Sequence, residues 1–421
     1  MKRILNIIII ICINVVTYAQ TPQWEVFNSA NSGLPDNIVT DIAIESNGTK
    51  WIGTGFGGLA RFDGNIWDVY TGSNSPLIDN EITAIDLNGD QELWIGTLFG
   101  GLAKLEGLAW TMYSESNTGV PITSILSIET QEGINVKLFG TYEGLVKYHD
   151  NQWSVYNELN SGIPANQVWS IAIEDSNLWW VGTEGGLAKY NGNWTTYNTI
   201  NSGLPGDHIN AIAIDKNGTK WFGTIYGLAS FDGNNWNTYT SANSGLPADH
   251  VTGITIDSDN NKWLSTFGND GGLVKFDGNN WAIYNISTTQ IPNYLKSIAL
   301  GLNGNIWVGS NGFGLAVLNE NGLTSVEQDN NNSVYNYSLE NNFPNPFNPS
   351  TTIQYSIPQI SNVTIKIFDI LGNELKTLIN EEKPAGNYEV KFDADNLSSG
   401  VYFYQLKTEE YISTKKMVLL K

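Results

Sequence analysis

The chain has 421 residues, with 42 acidic and 21 basic side chains and a formal charge of −21 at pH 7. Its length permits more than one hydrophobic core. The excess of carboxylates argues against nucleic acids and anionic membrane surfaces as partners, because binding their phosphates requires a basic face.

The first 19 residues have the pattern of a secretory signal peptide. Two basic residues, Lys2 and Arg3, precede the apolar run Ile4–Val16, and Thr17-Tyr-Ala19 forms a small-residue cleavage site. The run is too short for a stable membrane span, so we expect none in the mature protein. Cleavage would take the charge from −21 to −23 and remove the one cysteine, Cys12, which leaves no disulfide or thiol chemistry.

From residue 21 to residue 320 the chain repeats one unit. A Trp-x-Gly-Thr element recurs with some drift, beginning at Trp51, Trp94, Leu138, Trp180, Trp221, Trp263 and Trp307. Successive copies lie 43, 44, 42, 41, 42 and 44 residues apart. A second tryptophan keeps the same spacing at Trp24, Trp67, Trp110, Trp153, Trp194, Trp236 and Trp281. A period in the low forties made of short β-type runs is typical of propeller blades, each a four-stranded sheet.

The repeat predicts seven blades and the way in which the ring closes. In one unit we predict strands at Ile209–Ile214, Lys220–Thr224, Leu228–Phe231 and Trp236–Tyr239, separated by turns rich in Asn, Asp and Gly. The seventh unit has no tryptophan strand of its own. We therefore expect the spare strand Trp24–Phe27 to complete blade seven, which would join both ends of the propeller and remove open sheet edges.

The sequence changes character after the propeller. Residues 321–337 are rich in Asn, Ser and Asp and are predicted to be a flexible linker. Residues 338–421 lack the repeat and contain short β-type runs at Thr351–Ile357, Val363–Ile370, Glu374–Ile379, Tyr388–Phe392, Val401–Lys407 and Tyr411–Leu420. They predict a small immunoglobulin-like β-sandwich, so the whole chain is expected to be all-β.

The repeat unit resembles the two-component regulator propeller repeats, which occur as periplasmic sensor regions of hybrid histidine kinases in Bacteroidota. The resemblance rests on Lys220-Trp-Phe-Gly-Thr224, Gly227-Leu228, Phe231-Asp-Gly233 and Asn243-Ser-Gly-Leu-Pro247. This chain differs from that family because its sequence contains no second membrane span, kinase or receiver. Signalling through a fused kinase is therefore not expected.

The last 80 or so residues resemble the C-terminal sorting domain of the type IX secretion system. The matching stretches are Phe343-Pro-Asn-Pro-Phe-Asn-Pro-Ser350, Phe368-Asp-Ile-Leu-Gly372, Leu397-Ser-Ser-Gly-Val-Tyr-Phe403 and Lys415-Lys-Met-Val-Leu-Leu-Lys421. Immunoglobulin-like domains of flagellar hook-capping proteins share part of this pattern. The resemblance implies export across the outer membrane by the type IX secretion machinery, cleavage by its C-terminal signal peptidase, and a product that is secreted or held at the cell surface.

Ten residues are candidates for ligand binding. The loops between the second and third strands carry an aromatic residue in six blades, namely Phe56, Phe99, Tyr142, Tyr226, Phe267 and Phe313. These rings could stack on a sugar or hold a peptide, or they could pack between adjacent blades. Trp169 and Lys296 break the repeat pattern at the start of the inner strand, and His208 and His250 occupy equivalent positions in adjacent blades.

We predict neither a cofactor nor a metal site. His208 and His250 have no evident third ligand. Asp257-Ser-Asp-Asn-Asn261 has the oxygen spacing of a calcium loop but lacks the glycine and the distal glutamate of an EF-hand, so a hairpin turn is preferred to a calcium site.

The sequence favours a non-enzymatic propeller that binds a glycan or a protein ligand outside the cell. It contains neither a Gly-x-Ser-x-Gly elbow nor a His-Glu-x-x-His helix, and no catalytic residue is predicted. One alternative is a secreted polysaccharide lyase or glycoside hydrolase, which rests on analogy at the level of the fold. Another is a surface adhesion or structural protein. Convergence of Lys296, His208, His250 and nearby acids on one pocket would favour the enzyme, whereas scattered positions would favour binding or structure.

Overall fold

A computed structural model of the chain describes residues 23–319, except 91, 288 and 290, and residues 338–421, except 340–341, 358–360, 371, 384–385 and 409–410. The predicted signal peptide and linker lie outside these residues. The chain divides into two compact units, Met1–Val326 and Glu327–Lys421. Among the described residues, no helix combines the length and the apolar character that crossing a membrane requires.

The first unit consists of seven antiparallel blades of four strands each. It begins with strand β1 (Gln23–Phe27). The remaining strands are, in blade 1, β2 (Val39–Ile44), β3 (Lys50–Thr54), β4 (Leu59–Phe62) and β5 (Trp67–Tyr70); in blade 2, β6 (Ile82–Leu87), β7 (Glu92–Thr97), β8 (Leu102–Glu106) and β9 (Ala109–Tyr113); in blade 3, β10 (Ile125–Glu129), β11 (Val136–Thr141), β12 (Gly144–His149) and β13 (Gln152–Tyr156); in blade 4, β14 (Val168–Asp175), β15 (Leu178–Thr183), β16 (Gly186–Tyr190) and β17 (Trp194–Tyr197); in blade 5, β18 (Ile209–Ile214), β19 (Lys220–Thr224), β20 (Gly227–Phe231) and β21 (Trp236–Tyr239); in blade 6, β22 (His250–Ile256), β23 (Lys262–Phe267), β24 (Leu273–Phe276) and β25 (Trp281–Tyr284); and in blade 7, β26 (Leu295–Leu300), β27 (Ile306–Ser310) and β28 (Leu315–Asn319).

The ring closes through strand β1, as predicted. Blade 7 has the order β1-β28-β27-β26, and β1 pairs antiparallel with β28 from Gln23 opposite Asn319 to Phe27 opposite Leu315. Each innermost strand also contacts the innermost strand of the next blade, and β26 contacts β2. The seven innermost strands therefore surround one central channel. A short helix α1 (Glu115–Thr118) and a 3-10 turn (Leu302–Gly304) were not predicted.

The tryptophan of the second strand is buried in every blade that has one, and in five of them its indole N–H donates to a carboxylate of the same blade. The donor and acceptor pairs, at 2.6 to 3.1 Å, are Trp51 and Glu45, Trp94 and Glu92, Trp180 and Glu174, Trp221 and Asp215, and Trp263 and Asp257. Because a buried donor without a partner is costly, the neighbouring acid allows the large indole to be buried.

At three blade interfaces a lysine of the next blade completes this arrangement. The ion pairs, at 3.0 to 3.3 Å, are Lys137 with Glu92, Lys220 with Glu174, and Lys262 with Asp215. The same ammonium groups lie 4.9 to 6.0 Å from the ring centroids of Trp94, Trp180 and Trp221. Each lysine thus contacts both the carboxylate and the ring face of its neighbour, which joins consecutive blades by charge and by cation–π attraction.

The Asn-Ser-Gly-Leu-Pro connection is also explained by contacts between blades. Leu246 is buried between blades, and a Cβ at Gly245 would lie 2.5 Å from the Cβ of Trp281. Only glycine lets the connection approach this outer-strand tryptophan so closely. The Ser244 hydroxyl donates to the Thr240 carbonyl at 2.7 Å and holds the turn that precedes the glycine.

The second unit is a sandwich of two antiparallel sheets. Its strands are β29 (Ser338–Leu339), β30 (Ser350–Ile357), β31 (Ser361–Phe368), β32 (Glu374–Lys383), β33 (Gly386–Asp393), β34 (Gly400–Lys407) and β35 (Ile412–Leu419). One sheet has the order β29-β30-β33 and the other β32-β31-β34-β35. Ile353 and Phe392 from the first sheet and Ile365 and Leu406 from the second are buried in one core. Four strands extend beyond the predicted runs by a few residues, whereas β31 ends at Phe368, before the predicted Ile370, and β35 lies within its predicted run. Strand β29 was not predicted.

The proline-rich stretch at the start of this unit holds the last strand in place. The Phe347 N–H donates to the Val418 carbonyl at 2.9 Å, and the Leu420 N–H donates to the Phe347 carbonyl at 3.0 Å. The Phe347 side chain is buried in the core, and the Asn345 side-chain oxygen accepts a hydrogen bond from the Val418 N–H. Strand β35 therefore lies between β34 and this stretch.

Lys262→Met is expected to lower the free energy of unfolding by about 3 kcal/mol, because it leaves the Asp215 carboxylate buried without its cation. The two side chains are only 7% and 3% exposed. Burial alone would raise the pKa of Asp215, but hydrogen bonds from Trp221 and Lys262 hold it below its usual value. The ionised pair therefore contributes stability above about pH 4, and this contribution is lost as the pH falls further.

Urea unfolding followed by circular dichroism measures this loss. Lys104→Met is the matched control, because Lys104 pairs with the largely exposed Glu106 and should cost less than about 1 kcal/mol. An equal loss in the two variants would contradict the role assigned to the interface lysines.

Candidate functional site

One face of the propeller is formed by the blade-to-blade connections together with the loops between second and third strands. We call this surface the loop face. Carboxylates of the connections hold the loops: Asp36 accepts a hydrogen bond from the Phe56 N–H at 2.8 Å, and Asp79 accepts one from the Phe99 N–H at 2.9 Å. The aspartates therefore position the aromatic residues that follow Thr54 and Thr97.

Five of the six predicted loop aromatics are exposed on this face. Their exposed fractions are 68% for Phe56, 69% for Phe99, 42% for Tyr142, 61% for Tyr226 and 52% for Phe313. The interpretation that these rings pack between adjacent blades is wrong for Phe56, Phe99, Tyr226 and Phe313, each more than half exposed, whereas Tyr142 also contacts Trp169 of the next blade. Phe267 differs from the others. It is half-buried, with its ring centroid 5.5 Å from His250 and 5.0 Å from Tyr294.

The central channel contains a cavity of about 270 Å³ that the seven innermost strands enclose. Six of these strands have a bulge after the first residue, and β22 has it after the second residue, Val251. In four blades the bulge residue donates to a carbonyl of the next blade at 2.5 to 3.0 Å, namely Thr40 to Ile82, Thr83 to Ile125, Asn210 to Val251 and Thr252 to Leu295. Bulges thus serve as joints between the blades.

Trp169 and Lys296 occupy the same bulge position in blades 4 and 7, and both line the cavity. Neither makes the bond to the next blade, and the Trp169 indole N–H has no hydrogen-bond partner among the described residues. The Lys296 side chain is exposed. The two residues that break the sequence pattern are therefore those whose polar groups are not used to join blades.

Tyr142, Trp169 and His208 meet at one edge of the channel, and we call them the mouth cluster. The Trp169 ring stacks on His208 with centroids 5.2 Å apart and meets Tyr142 edge-on at 6.0 Å. Burial lowers the pKa of His208, against the opposing charge of Glu184. Burial and the nearby His208 lower the pKa of His250, so both imidazoles are neutral near pH 7.

The structure thus brings together three of the ten candidate residues, with Lys296 in the same channel. His250 contacts Phe267 instead of the mouth cluster. Within the described part of the chain, no group of three or more His, Cys, Asp or Glu side chains is arranged to hold a metal ion. The Asp257 carboxylate accepts hydrogen bonds from the N–H groups of Asp259 and Asn261, as a turn residue does.

Three carboxyl groups in the channel wall escaped the sequence analysis. Asp41 accepts a hydrogen bond from the Ile85 N–H at 2.9 Å, and Asp86 accepts one from the Thr130 N–H at 2.6 Å. Glu129 accepts one from the next blade in the same way, from the Ile173 N–H at 3.3 Å. Acidic residues recur throughout the repeats, so no sequence signal distinguished these.

Burial dominates the ionisation of these groups. It raises the pKa of Asp41 to about 6 and that of Asp86 to about 7, where the charge of Asp41 adds to the effect. Burial and the neighbouring Asp86 raise the pKa of Glu129 well above its usual value. The wall of blades 1 to 3 therefore carries protonated carboxyl groups at mildly acidic pH.

The comparisons with known proteins identify the second unit. Residues 341–420 match the family model described as a secretion system C-terminal sorting domain. The C-terminal unit is a secretion system sorting domain. This confirms the interpretation of the tail, and the sorting domain implies handling by the type IX secretion machinery. The protein is thus a secreted or surface propeller protein.

Several solved structures share the fold. The extracellular domain of the hybrid two component system BT3049 from B. thetaiotaomicron has a TM-score of 0.62 at 19% identity, with 94% of this chain and 57% of that chain covered. PorZ, a surface component of the type-IX secretion system of Porphyromonas gingivalis, has a TM-score of 0.55 at 17% identity, with 94% and 60% covered. Virginiamycin B lyase from Staphylococcus aureus has a TM-score of 0.58 at 13% identity, with 70% and 99% covered.

These similarities establish the propeller fold and no more, because every identity is below 20%. The chain spans 57% and 60% of the first two structures. No curated protein sequence matches the chain significantly.

Asp86→Asn is expected to raise the midpoint of thermal unfolding by about 8 °C at pH 8 and to leave it unchanged near pH 4. The pKa of Asp86 is about 7 in the folded protein and about 3.9 in an unfolded chain. Between these values the folded state holds a proton that the unfolded state has released. The stabilisation that the protonated Asp86 contributes is therefore fully present below about pH 4 and is lost as the pH rises to about 7.

Thermal melts of both proteins between pH 4 and pH 8 measure this difference. Glu132→Gln removes an exposed carboxylate from the turn that follows β10 and serves as the control. If the unfolding midpoints of wild type and Asp86→Asn changed with pH in parallel, the Asp86 carboxyl would not be the group that causes the loss of stability above pH 4.

Phe99→Ala should change the free energy of unfolding by less than about 0.5 kcal/mol, because most of the ring already faces water. Phe222→Ala, which removes a fully buried ring of blade 5, should cost about 3 to 5 kcal/mol. Chemical denaturation of the two variants compares them directly. A large loss for Phe99→Ala would restore the packing interpretation.

Proposed function

We propose that this protein is a non-enzymatic binding protein whose propeller engages a glycan or protein ligand through the loop face. The observation that carries the proposal is the set of five exposed aromatic rings on that one face. The opposite face has no equivalent set of aromatics among its described turns, where the large exposed side chains include Ile66 and Leu108.

Exposed rings on one face supply binding free energy when a ligand covers them. An aromatic side chain has about 150–250 Å² of surface. Covering roughly 100 Å² of one ring gives about 2.5 kcal/mol at about 25 cal/mol per Å². Several such contacts are needed before the entropy lost on association is offset. The ring of loop aromatics provides them, and sugars and peptides both stack on such surfaces.

The mouth cluster marks the centre of the proposed site. Trp169 combines a stacking contact with His208 and an N–H group without a partner among the described residues. Lys296 opens into the same channel. Binding is favoured over catalysis because His250 contacts Phe267 and is not part of this cluster. A polysaccharide lyase or glycoside hydrolase would require an acid and a base around one pocket.

The proposed organisation of the chain follows the sequence analysis. Residues 1–19 are a cleaved signal peptide, residues 21–320 the propeller, residues 321–337 a linker and residues 338–421 the sorting domain. After export the C-terminal signal peptidase removes the sorting domain, and the propeller is released or held at the surface.

The test is binding of the full chain, without its predicted signal peptide, to a glycan array and to an array of synthetic peptides of both charges. The double variant Phe99→Ala, Tyr226→Ala should lose at least tenfold in signal on every probe that the wild type binds. The control is Ile66→Ala, Leu108→Ala, which removes two exposed apolar side chains from turns of the opposite face.

Two results would contradict the proposal. In the first, the loop-face variant binds the same probes as strongly as the wild type. In the second, the folded wild type binds no probe on either array, and the protein is then better described as a structural component of the surface.

A further inference from the structure

We infer that the ligand of the loop face is a cationic peptide segment, rich in arginine or lysine, that a partner protein exposes. This inference rests on the proposed function, because it assigns a chemical class to the ligand of the same surface. The exposed aromatic rings indicate that a ligand binds this face, and the charge of the loops around them indicates that the ligand is cationic.

The basic residues of the propeller avoid the loop face. Its connections and second-to-third loops contain no lysine or arginine in their described segments. The lysines and the arginine of the described propeller lie on strands or, for Lys216, in a turn of the opposite face. Lys296 is the one that opens into the channel from the bulge of an inner strand.

Half of the acidic residues on the loop face build the loops. The carboxylates of Asp36, Asp79, Glu158, Asp207 and Asp249 accept hydrogen bonds from backbone N–H groups of the same face at 2.6 to 2.9 Å. They shape the surface and still carry negative charge. Their bonds explain why these positions are acidic without any ligand.

The other half of the acidic residues on the loop face does not hold the loops. Glu81, Glu115, Glu143, Glu184 and Asp270 make no side-chain hydrogen bond or ion pair within the described structure, and all but Glu81 are exposed. Glu143 directly follows the exposed ring of Tyr142, and Glu184 is close enough to His208 to affect its pKa. Unpaired carboxylates therefore stand beside the mouth cluster.

Carboxylates beside aromatic faces are the combination that binds lysine and arginine side chains. A guanidinium or ammonium group is attracted to a ring face and pairs with a carboxylate at the same time. The propeller already uses this combination internally, where Lys262 pairs with Asp215 and lies 4.9 Å from the centroid of the Trp221 ring. The loop face offers the same two groups to a cation from outside.

Other ligands fit this surface less well. An anionic polymer would be repelled by the negative charge of the loop face. The neutral imidazoles of His208 and His250 do not offset that charge. A neutral glycan gains from the rings but not from the charge. A cationic segment gains from both, and its association is accelerated by the field of the face.

The test uses three fluorescein-labelled peptides of twelve residues, in which serine alternates with arginine, glutamine or glutamate. Fluorescence anisotropy measures their affinity for the full chain without its predicted signal peptide. The arginine peptide should bind at least tenfold more tightly than the other two, and raising the salt from 0.1 to 0.5 M should weaken it several-fold.

The decisive variant is Glu143→Gln, Glu184→Gln, which removes two exposed carboxylates beside the mouth cluster. It should weaken binding of the arginine peptide at least fivefold. Its control, Glu132→Gln, Asp259→Asn, removes two exposed carboxylates from turns of the opposite face and changes the net charge equally. The control should bind within about 1.5-fold of the wild type.

Each outcome has a defined meaning. An equal loss in both double variants overturns the inference, because attraction would then depend on net charge and not on the loop face. Failure of the arginine peptide to bind also overturns it. If the arginine peptide does not bind but Phe99→Ala, Tyr226→Ala still abolishes binding to an array probe, the proposed function stands without this inference. If that variant has no effect on array binding, both the inference and the proposed function fail.

Discussion

The pairing of β1 with β28 is the constraint on which the rest of the propeller depends. Without β1, blade 7 would have three strands and an unpaired edge at β28. With it, the last blade contains strands from both ends of the repeat region, and the ring cannot open without breaking that sheet. Closure places seven inner strands around one channel and brings all connections to one face. The candidate site exists because of this geometry.

The contacts that stabilise the propeller and the proposed recognition surface lie at opposite ends of the blades. Near the turns that join first and second strands, acids are paired with tryptophan N–H groups and with lysines of the next blade, as in Asp215, Trp221 and Lys262. At the loop face the acids have no basic partners among the described residues, and five of the six loop aromatics are exposed. The same residue types thus hold the blades together at one end and leave an acidic aromatic surface at the other.

Much of the fold follows from the sequence because the same pattern of strands and turns recurs in seven units, one for each blade. Strand β19 has the predicted bounds, and β1 takes its predicted place. Helix α1 was missed because it is a single turn of four residues inside a connection that the repeat pattern predicts as a loop. The channel carboxyl of Asp86 was missed because acids are common at every turn. Whether Phe99 packs or protrudes could not be decided, because a loop aromatic is compatible with both.

The sequence by itself determined the number of blades, the strand that closes the ring, the second sandwich and its identity as a sorting domain, since periodic patterns and local motifs carry that information. Only the tertiary structure decided which aromatics face water, that Trp169 stacks on His208, and that Asp41, Asp86 and Glu129 lie with raised pKa values in one wall. The reason is physical. Exposure and the pKa of a carboxyl group depend on what neighbouring blades place around a side chain, and those neighbours are some 40 residues distant in the chain.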